Sequence, residues 1–291
     1  MVAILGGLAA ACSWAVATLA SSRSSRMIGP WSVLGWVMAI GLAVAIVPAF
    51  LVTPVDLDAP KIIGLIGLGL CQNVGLLLAY YALQVGRVSI VAPITATEGA
   101  LAAVLAVILG EPLALSTAVV LGLIALGVVM AAVERPRDDG LVDPTRTARD
   151  LANPRRAILL AIAAAAVFSV GLVLSGRLGA AGMPPLWVLV ASRSVGVLLI
   201  ALPLVLRGQF RLTRPAVPLV LVASVLEAAG TGLFVIAASS DIAVAAVMSS
   251  QFAAIVAVGG FFLFGERIQR IQVAGVVLIA VGVTLLSVLS S

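Results

Sequence analysis

The feature that most constrains this chain is an internal duplication. Glu266 stands 155 residues after Glu111, each is preceded by glycine, and Gly282 follows Gly127 at the same interval. Carried back without a gap, that interval also sets Pro185 on Pro30, Gly196 on Gly41, Pro203 on Pro48, Pro215 on Pro60 and Gly230 on Gly75. Eight Gly, Pro or Glu coincidences at one ungapped shift identify a repeat. A repeat fixes architecture before any single element is assigned, because both copies must form the same unit.

Each copy is too apolar to be soluble. Apolar residues make up 63% of the chain and charged residues 10%, against roughly half and about a quarter in soluble domains. The excess falls in runs of about 20 residues, the length that crosses a hydrocarbon layer of roughly 30 Å. The runs are continuous rather than alternating, so they predict helices and not a barrel. Ten spans are predicted, near 2–20, 31–52, 62–83, 89–109, 113–133, 157–175, 186–206, 216–238, 243–263 and 271–289. The first has the length of a signal peptide, but it lacks a basic start and pairs with the sixth under the repeat shift, so it is read as a mature helix. The expected fold is an all-α membrane protein of ten transmembrane helices in two inverted five-helix repeats, 1–133 and 157–291. The polar segment 134–156, with six arginines and five acids, is the charged linker between them. Five spans per copy is an odd number, so the second copy enters from the opposite side, related by a pseudo-two-fold axis in the membrane plane. Asn153-Pro154 reads as a helix N-cap followed by a first-turn proline, where span six begins.

Loop charges give an orientation. Fourteen basic residues fall on one side: Arg23, Arg26, Arg87, the six of the linker, Arg207, Arg211, Arg214, Arg267 and Arg270. The other side holds Lys61 and Arg177. The positive-inside rule then puts the linker in the cytoplasm and both termini outside. The basic excess is accordingly a topological signal, and no nucleic-acid partner is expected.

Three ionisable residues lie within spans: Glu98, Arg193 and Glu227. A charge at mid-membrane costs roughly 2.5–3.5 kcal/mol on insertion scales, so such residues face a cavity or a partner. Glu98 falls near the middle of span four. On a straight helix it points about 120° from the small-residue face of Ala92, Ala96, Gly99 and Ala103, with little polar company beyond Thr95. That makes it the candidate proton-coupling group. Glu227, central in span eight, stands in a polar stripe with Ser224 and Thr231. For both glutamates a helix–helix hydrogen bond is the alternative to lining a cavity. Gln72, Asn73 and Tyr80 are offered by span three, Trp14 with Ser13 and Thr18 by span one, and Gln251 with Ser249 and Ser250 by span nine. Gln72 is the repeat counterpart of Glu227. The candidate substrate-binding set is therefore Glu98, Glu227, Asn73, Gln72, Trp14, Tyr80 and Gln251.

Glu111 and Glu266 sit at matching span junctions, and Glu111 precedes Pro112. A carboxylate there suits the positive end of a helix dipole, a structural role. Arg193, a third of the way into span seven, is read as structural or snorkelling, with anion binding as the alternative. Trp31 and Trp187 open spans and read as interfacial anchors. Cys12 and Cys71 lie in apolar runs and are read as small buried hydrophobes, with no disulfide or metal spacing.

Pro93 through Gly110-Glu111 to Gly127, Ala191-Ser192-Arg193, and Gly265-Glu266-Arg267 through Gly275 and Gly282 together resemble the EamA domain of the drug/metabolite transporter superfamily. The resemblance covers nearly the whole chain outside the linker. It implies a ten-helix transporter with a central substrate cavity, exporting or exchanging small metabolites, and both termini in the cytoplasm, opposite to the charge count. Within the repeat, Met38 takes the place of Arg193 and Met248 that of Pro93.

The function expected is a secondary transporter of a small polar or amphipathic metabolite, such as an amino acid, working by alternating access around a midplane cavity, with proton coupling through Glu98. A channel-like facilitator or a membrane scaffold is the alternative. The chain contains no histidine, which removes Ser–His, Cys–His and common zinc schemes, and its aspartates lie in loops or at a span edge. No P-loop is present, and no cofactor or metal is expected. The partners expected are a small-molecule substrate and the lipid bilayer, with a monomer as the simplest state. The expected location is the inner (plasma) membrane.

Overall fold

A computed structural model describes residues 1–51, 57–109, 115–132, 153–240, 248–249, 252–264 and 270–289. All the regular structure among these residues is helical. In hydrocarbon no water satisfies backbone N–H and C=O groups, and a helix satisfies them internally. The helices are α1 (Val2–Ile28), α2 (Pro30–Leu51), α3 (Ala59–Val85), α4 (Val88–Thr95), α5 (Glu98–Ile108), α6 (Leu115–Ala132), α7 (Pro154–Ala180), α8 (Pro185–Gly196), α9 (Leu202–Leu206), α10 (Val217–Ser240), α11 (Phe252–Phe264) and α12 (Arg270–Leu289). Among the described residues, six segments are long and apolar enough to cross a membrane: Ile4–Ile28, Pro30–Leu51, Ala59–Val85, Pro154–Gly179, Pro185–Leu206 and Arg214–Phe234. The shorter helices share their apolar composition.

Local signals set the limits. The Asp58 carboxylate accepts from the Lys61 N–H at 2.9 Å, and Asn153 accepts from the Arg156 N–H at 3.2 Å, so α3 and α7 each open on a side-chain cap with proline in the first turn. A single residue, Gly29, separates α1 from α2; its φ of 86° is the left-handed region that glycine enters without strain. Between α8 and α9 the ladder widens to a π-turn over Val197–Ala201. Pro203 lacks an N–H and its ring crowds the carbonyl of Leu199, and the wider turn accommodates both.

Span four departs from expectation. It is not one helix but α4 and α5, interrupted at Ala96–Thr97. Pro93 removes one ladder bond, and two threonines turn their hydroxyls onto the chain. Thr95 donates to the carbonyls of Val91 and Ala92 at 3.2 and 2.9 Å, and Thr97 donates to that of Ile94 at 2.7 Å. Such back-bonding bends helices. Glu98 consequently sits in the first turn of α5 rather than mid-helix, at the end of the helix where the dipole is positive. The angle reckoned on a straight helix no longer applies.

The helix limits recur at the 155-residue interval. Pro30–Leu51 maps onto Pro185–Leu206, the start and end of α3 map onto Arg214 and Ser240, and the start of α6 maps onto that of α12. Packing recurs as well. α1 lies along α10 as α3 lies along α7, while α2 meets α8, α4 meets α11 and α6 meets α12. The α6–α12 contact is reciprocal in detail. A Cβ on Gly127 would lie 2.9 Å from Ile279 Cγ1, and one on Gly282 would lie 2.5 Å from Ile124 Cγ1; Ile124 and Ile279 are themselves repeat counterparts. Close approach through small residues is how helices pack without a hydrophobic driving force between them. Gly282→Val is therefore expected to destabilise the protein by about 1–3 kcal/mol through overpacking, read as a lower melting temperature in detergent. An unchanged melting temperature would show that the interface is loose.

Large apolar side chains such as Phe50, Leu51, Ile63, Leu206 and Phe262 are exposed on the outside, where lipid meets them. Cys12 is among the exposed residues, correcting its reading as buried. Trp31 is exposed at the start of α2, whereas Trp187 is half-buried against Phe50, with its indole nitrogen enclosed and not at the surface an interfacial anchor needs.

Candidate functional site

A cavity of about 370 Å³ is lined by α1, α3, α4, α5, α7, α8, α10 and α11. Its walls are largely apolar and partly aromatic. The Trp14 ring lies 5.8 Å from that of Phe234 and 6.4 Å, edge-on, from that of Phe252. Two glycines make room for aromatic walls. A Cβ on Gly230 would lie 2.6 Å from Trp14, and one on Gly75 would lie 2.5 Å from Phe168. These glycines are repeat counterparts. Their work is to admit one ring from each half, and Phe168 was missed because nothing in its neighbourhood distinguishes it from a packing residue.

Charge enters from three residues, and the structure places them together on the cavity wall: Arg193, Glu227 and Glu98. Arg193 is 1% exposed, so snorkelling is excluded. Its Nη2 donates to Glu227 Oε2 in an ion pair, and its Nη1 donates to Met38 Sδ at 3.5 Å. Snorkelling was the reading for an isolated arginine; an acid on a neighbouring helix removes the need to reach water. The guanidinium stem runs over Gly41, where a Cβ would lie 3.2 Å from Nε. Met38 is the repeat counterpart of Arg193, and Gly41 that of Gly196, so the α2–α8 contact brings equivalent positions face to face with different chemistry. Burying an ion pair costs desolvation that only good geometry offsets, while a single buried charge without its partner is strongly destabilising. Glu227 keeps 14% of its side chain open to the cavity.

Glu98 has no such partner among the described residues. Around it lie Val91, Ala92 and Thr95 on the same wall, and both bonds of the Thr95 hydroxyl go to its own helix. The stripe beside Glu227 is likewise self-satisfied. Ser224 donates to the Val220 carbonyl at 2.7 Å and Thr231 to the Glu227 carbonyl at 3.1 Å; Thr231 reaches the cavity and Ser224 does not.

Trp14, Gln72 and Tyr80 line the cavity, together with Ser21. Asn73 does not line it. Its amide donates to the carbonyls of Gly69 at 2.8 Å and Ser192 at 3.0 Å, fastening α3 to α8 one residue before Arg193. Gly196 must be glycine there, since a Cβ would lie 2.3 Å from Asn73 Oδ1. Ser249 is buried in a short helical piece, while Gln251, Glu111 and Glu266 lie outside the described residues.

The two ends of the cavity differ. One reaches Pro185, Leu172 and Ser175 at the turn joining α7 to α8. At the other, below Ser21 and Leu83, α1 is tied to the end of α3. Arg26 donates through Nη2 to the carbonyls of Leu83 and Gly86 at 3.0 and 2.8 Å, and Gln84 donates to the Ser25 carbonyl at 3.2 Å. A cation on the last carbonyls of a helix is also favoured by its dipole.

Comparison with known proteins places these features. Among curated proteins no match is found. A solved crystal structure matches with a TM-score of 0.62 over 99% of this chain and 96% of its own, at 19% identity; at that identity the likeness is one of fold. The profile of the EamA-like transporter family matches residues 1–133 and again 155–288. The chain therefore belongs to the EamA-like transporter family, within the drug/metabolite transporter superfamily, and is a multi-pass membrane transporter.

Proposed function

We propose that the protein is a secondary transporter that moves a small polar or amphipathic metabolite by alternating access around this cavity, in export or exchange, with proton coupling through Glu98. The observation that carries the reading is the convergence of Glu98, Glu227 and Arg193 on one cavity inside an otherwise apolar helical body. Three charges at membrane depth are a large expense for a scaffold and are used by carriers to hold substrates and ions.

The same reading takes the chain as ten spans in two inverted five-helix units, 1–133 and 157–291, joined by 134–156. Helix limits that recur at the repeat interval, and packing that exchanges one half for the other, support it. Rocking of such units about a central site gives alternating access. With the loop charges as guide, the end tied by Arg26 faces the cytoplasm of a cell whose inner membrane holds the protein, and the end at Pro185 faces out. A C-terminal fluorescent reporter that is dark and a phosphatase reporter that is active are the results expected; the reverse pattern would adopt the family's usual orientation.

Arg26→Ala is expected to loosen the tied end. In a chain with Cys12 and Cys71 replaced by serine, a cysteine at Ser21 should label several-fold faster with a thiol reagent once Arg26 is removed, and one at Ser175 more slowly. If both rates stay as they were, Arg26 is a helix cap and not part of a gate.

Counterflow in proteoliposomes loaded with a metabolite extract tests the transporter reading itself. Saturable exchange of particular compounds supports it. Non-saturating, substrate-indifferent flux would favour a channel-like facilitator, and no flux a scaffold.

A further inference from the structure

The ionic groups of the cavity do not present themselves equally. Arg193 is sealed, with 1% of its side chain exposed, and its Nη2 is spent on Glu227. Its Nη1 donates to Met38, and its Nε is buried over Gly41 of α2 with no hydrogen-bond partner among the described residues. A molecule in the cavity meets the open side of Glu227 and the carboxylate of Glu98 before it meets any guanidinium nitrogen. Arg193 is the one basic side chain among the described residues of the wall, and Glu227 already balances it. What is left unbalanced is Glu98.

The aromatic surface complements that charge. Trp14 and Tyr80 line the same space with Phe168 and Phe252. Indole and phenyl faces attract cations that come within about 6 Å of the ring centre, more strongly once water is removed. A carboxylate ligand, in contrast, would have to break the Arg193–Glu227 pair to find a cation, leaving Glu227 without its partner in a low-dielectric site.

We propose that the cavity takes molecules carrying a cationic amine on an apolar or aromatic body, recognised by Glu98 and the open side of Glu227 against the Trp14 ring, and that a carboxylate on the substrate is not read. This inference rests on the transporter reading above and narrows its substrate class: an amino acid would enter as an amine, its carboxylate tolerated rather than bound. Arg193 is then a positioning residue for Glu227 and touches no substrate.

Three matched probes separate the possibilities: phenethylamine, phenylalanine and 3-phenylpropionate share a ring and a chain and differ in their charged groups. Binding to the purified protein in nanodiscs is measured by isothermal titration calorimetry, and counterflow of the same compounds in proteoliposomes. Phenethylamine is expected to bind at least tenfold more tightly than 3-phenylpropionate. Glu98→Gln should weaken the amine tenfold or more, and Trp14→Leu should weaken it where Trp14→Phe does not. The melting temperature of each variant confirms that it is folded, and if a variant fails to fold the preference of the wild-type protein for phenethylamine over 3-phenylpropionate and phenylalanine decides the matter. The proposal is overturned if 3-phenylpropionate binds as tightly as the amine, if phenethylamine does not bind, or if phenylalanine binds tenfold more tightly than phenethylamine, since a carboxylate would then be read. An amine that binds with the expected preference but never exchanges in counterflow sinks the transporter reading and leaves the recognition site standing; counterflow of the acid alone does the opposite.

Discussion

Arg193→Met is expected to cost about 3–5 kcal/mol of stability, the range seen when one member of a buried ion pair is removed, and to abolish transport. Methionine is chosen because the repeat places Met38 at the equivalent position, so α2 and α8 already pack a methionine at this contact. The loss therefore comes from Glu227 and not from a cavity left by a smaller side chain. The value should fall toward the lower end of the range, because Glu227 retains 14% exposure to the cavity and water there can take up part of its charge. The double variant Arg193→Met/Glu227→Gln removes both charges together and should recover most of the melting temperature of the wild type. Recovery of stability without recovery of transport would separate the two roles of Glu227, as partner of Arg193 and as cavity wall. If Arg193→Met alone keeps the wild-type melting temperature, the pair contributes nothing to the fold. A single-variant loss that the double variant does not reverse would assign the effect to Arg193 packing on Gly41 instead.

Much of this fold is legible in the chain because lipid leaves few options. Continuous apolar runs must be helices, and breakers such as Gly29-Pro30, Arg214-Pro215 and Asn153-Pro154 mark limits that the structure matches within a few residues. The interruption of span four was harder to read. Pro93 was visible, but a proline in a membrane helix is commonly absorbed as a kink; what completes the break is the hydroxyl bonding of Thr95 and Thr97, which depends on rotamers. The site was legible as a set of residue types and not as a set of partners. Glu98, Glu227 and Arg193 stand out against apolar helices by cost alone. That Arg193 meets Glu227 follows from how α2 packs against both α8 and α10, a relation between residues 34 positions apart that no local spacing encodes. Asn73 shows the limit from the other side: its residue type invites a substrate contact, while its side chain lies off the cavity and its Nδ2 donates to the carbonyls of Gly69 and Ser192.

Glu98→Gln is expected to uncouple transport from the proton gradient. The reason lies in the difference between the two carboxylates. Glu227 has a fixed cation beside it, so a proton arriving there would strand Arg193. Glu98 has no charged partner among the described residues, faces the cavity, and sits in the first turn of α5 where the helix dipole can hold its anion. Its protonation changes the net charge of the site from negative to neutral without breaking any existing pair, which is what a coupling group must do. A proton and a cationic substrate then compete for one carboxylate, and that competition links their movements in opposite directions. Glutamine keeps the shape and removes the charge. In proteoliposomes with a pH gradient, uptake by Glu98→Gln should fall by about tenfold or more, equivalent to a loss of ~1.4 kcal/mol of coupling. The residual flux should no longer respond to collapsing the gradient. Glu98→Asp, which retains the carboxylate on a shorter stem, should keep the response to the gradient at a reduced rate. A Glu98→Gln protein that transports at the wild-type rate and still follows the gradient would remove Glu98 from the coupling path and leave Glu227, despite its bond to Arg193, as the group to examine.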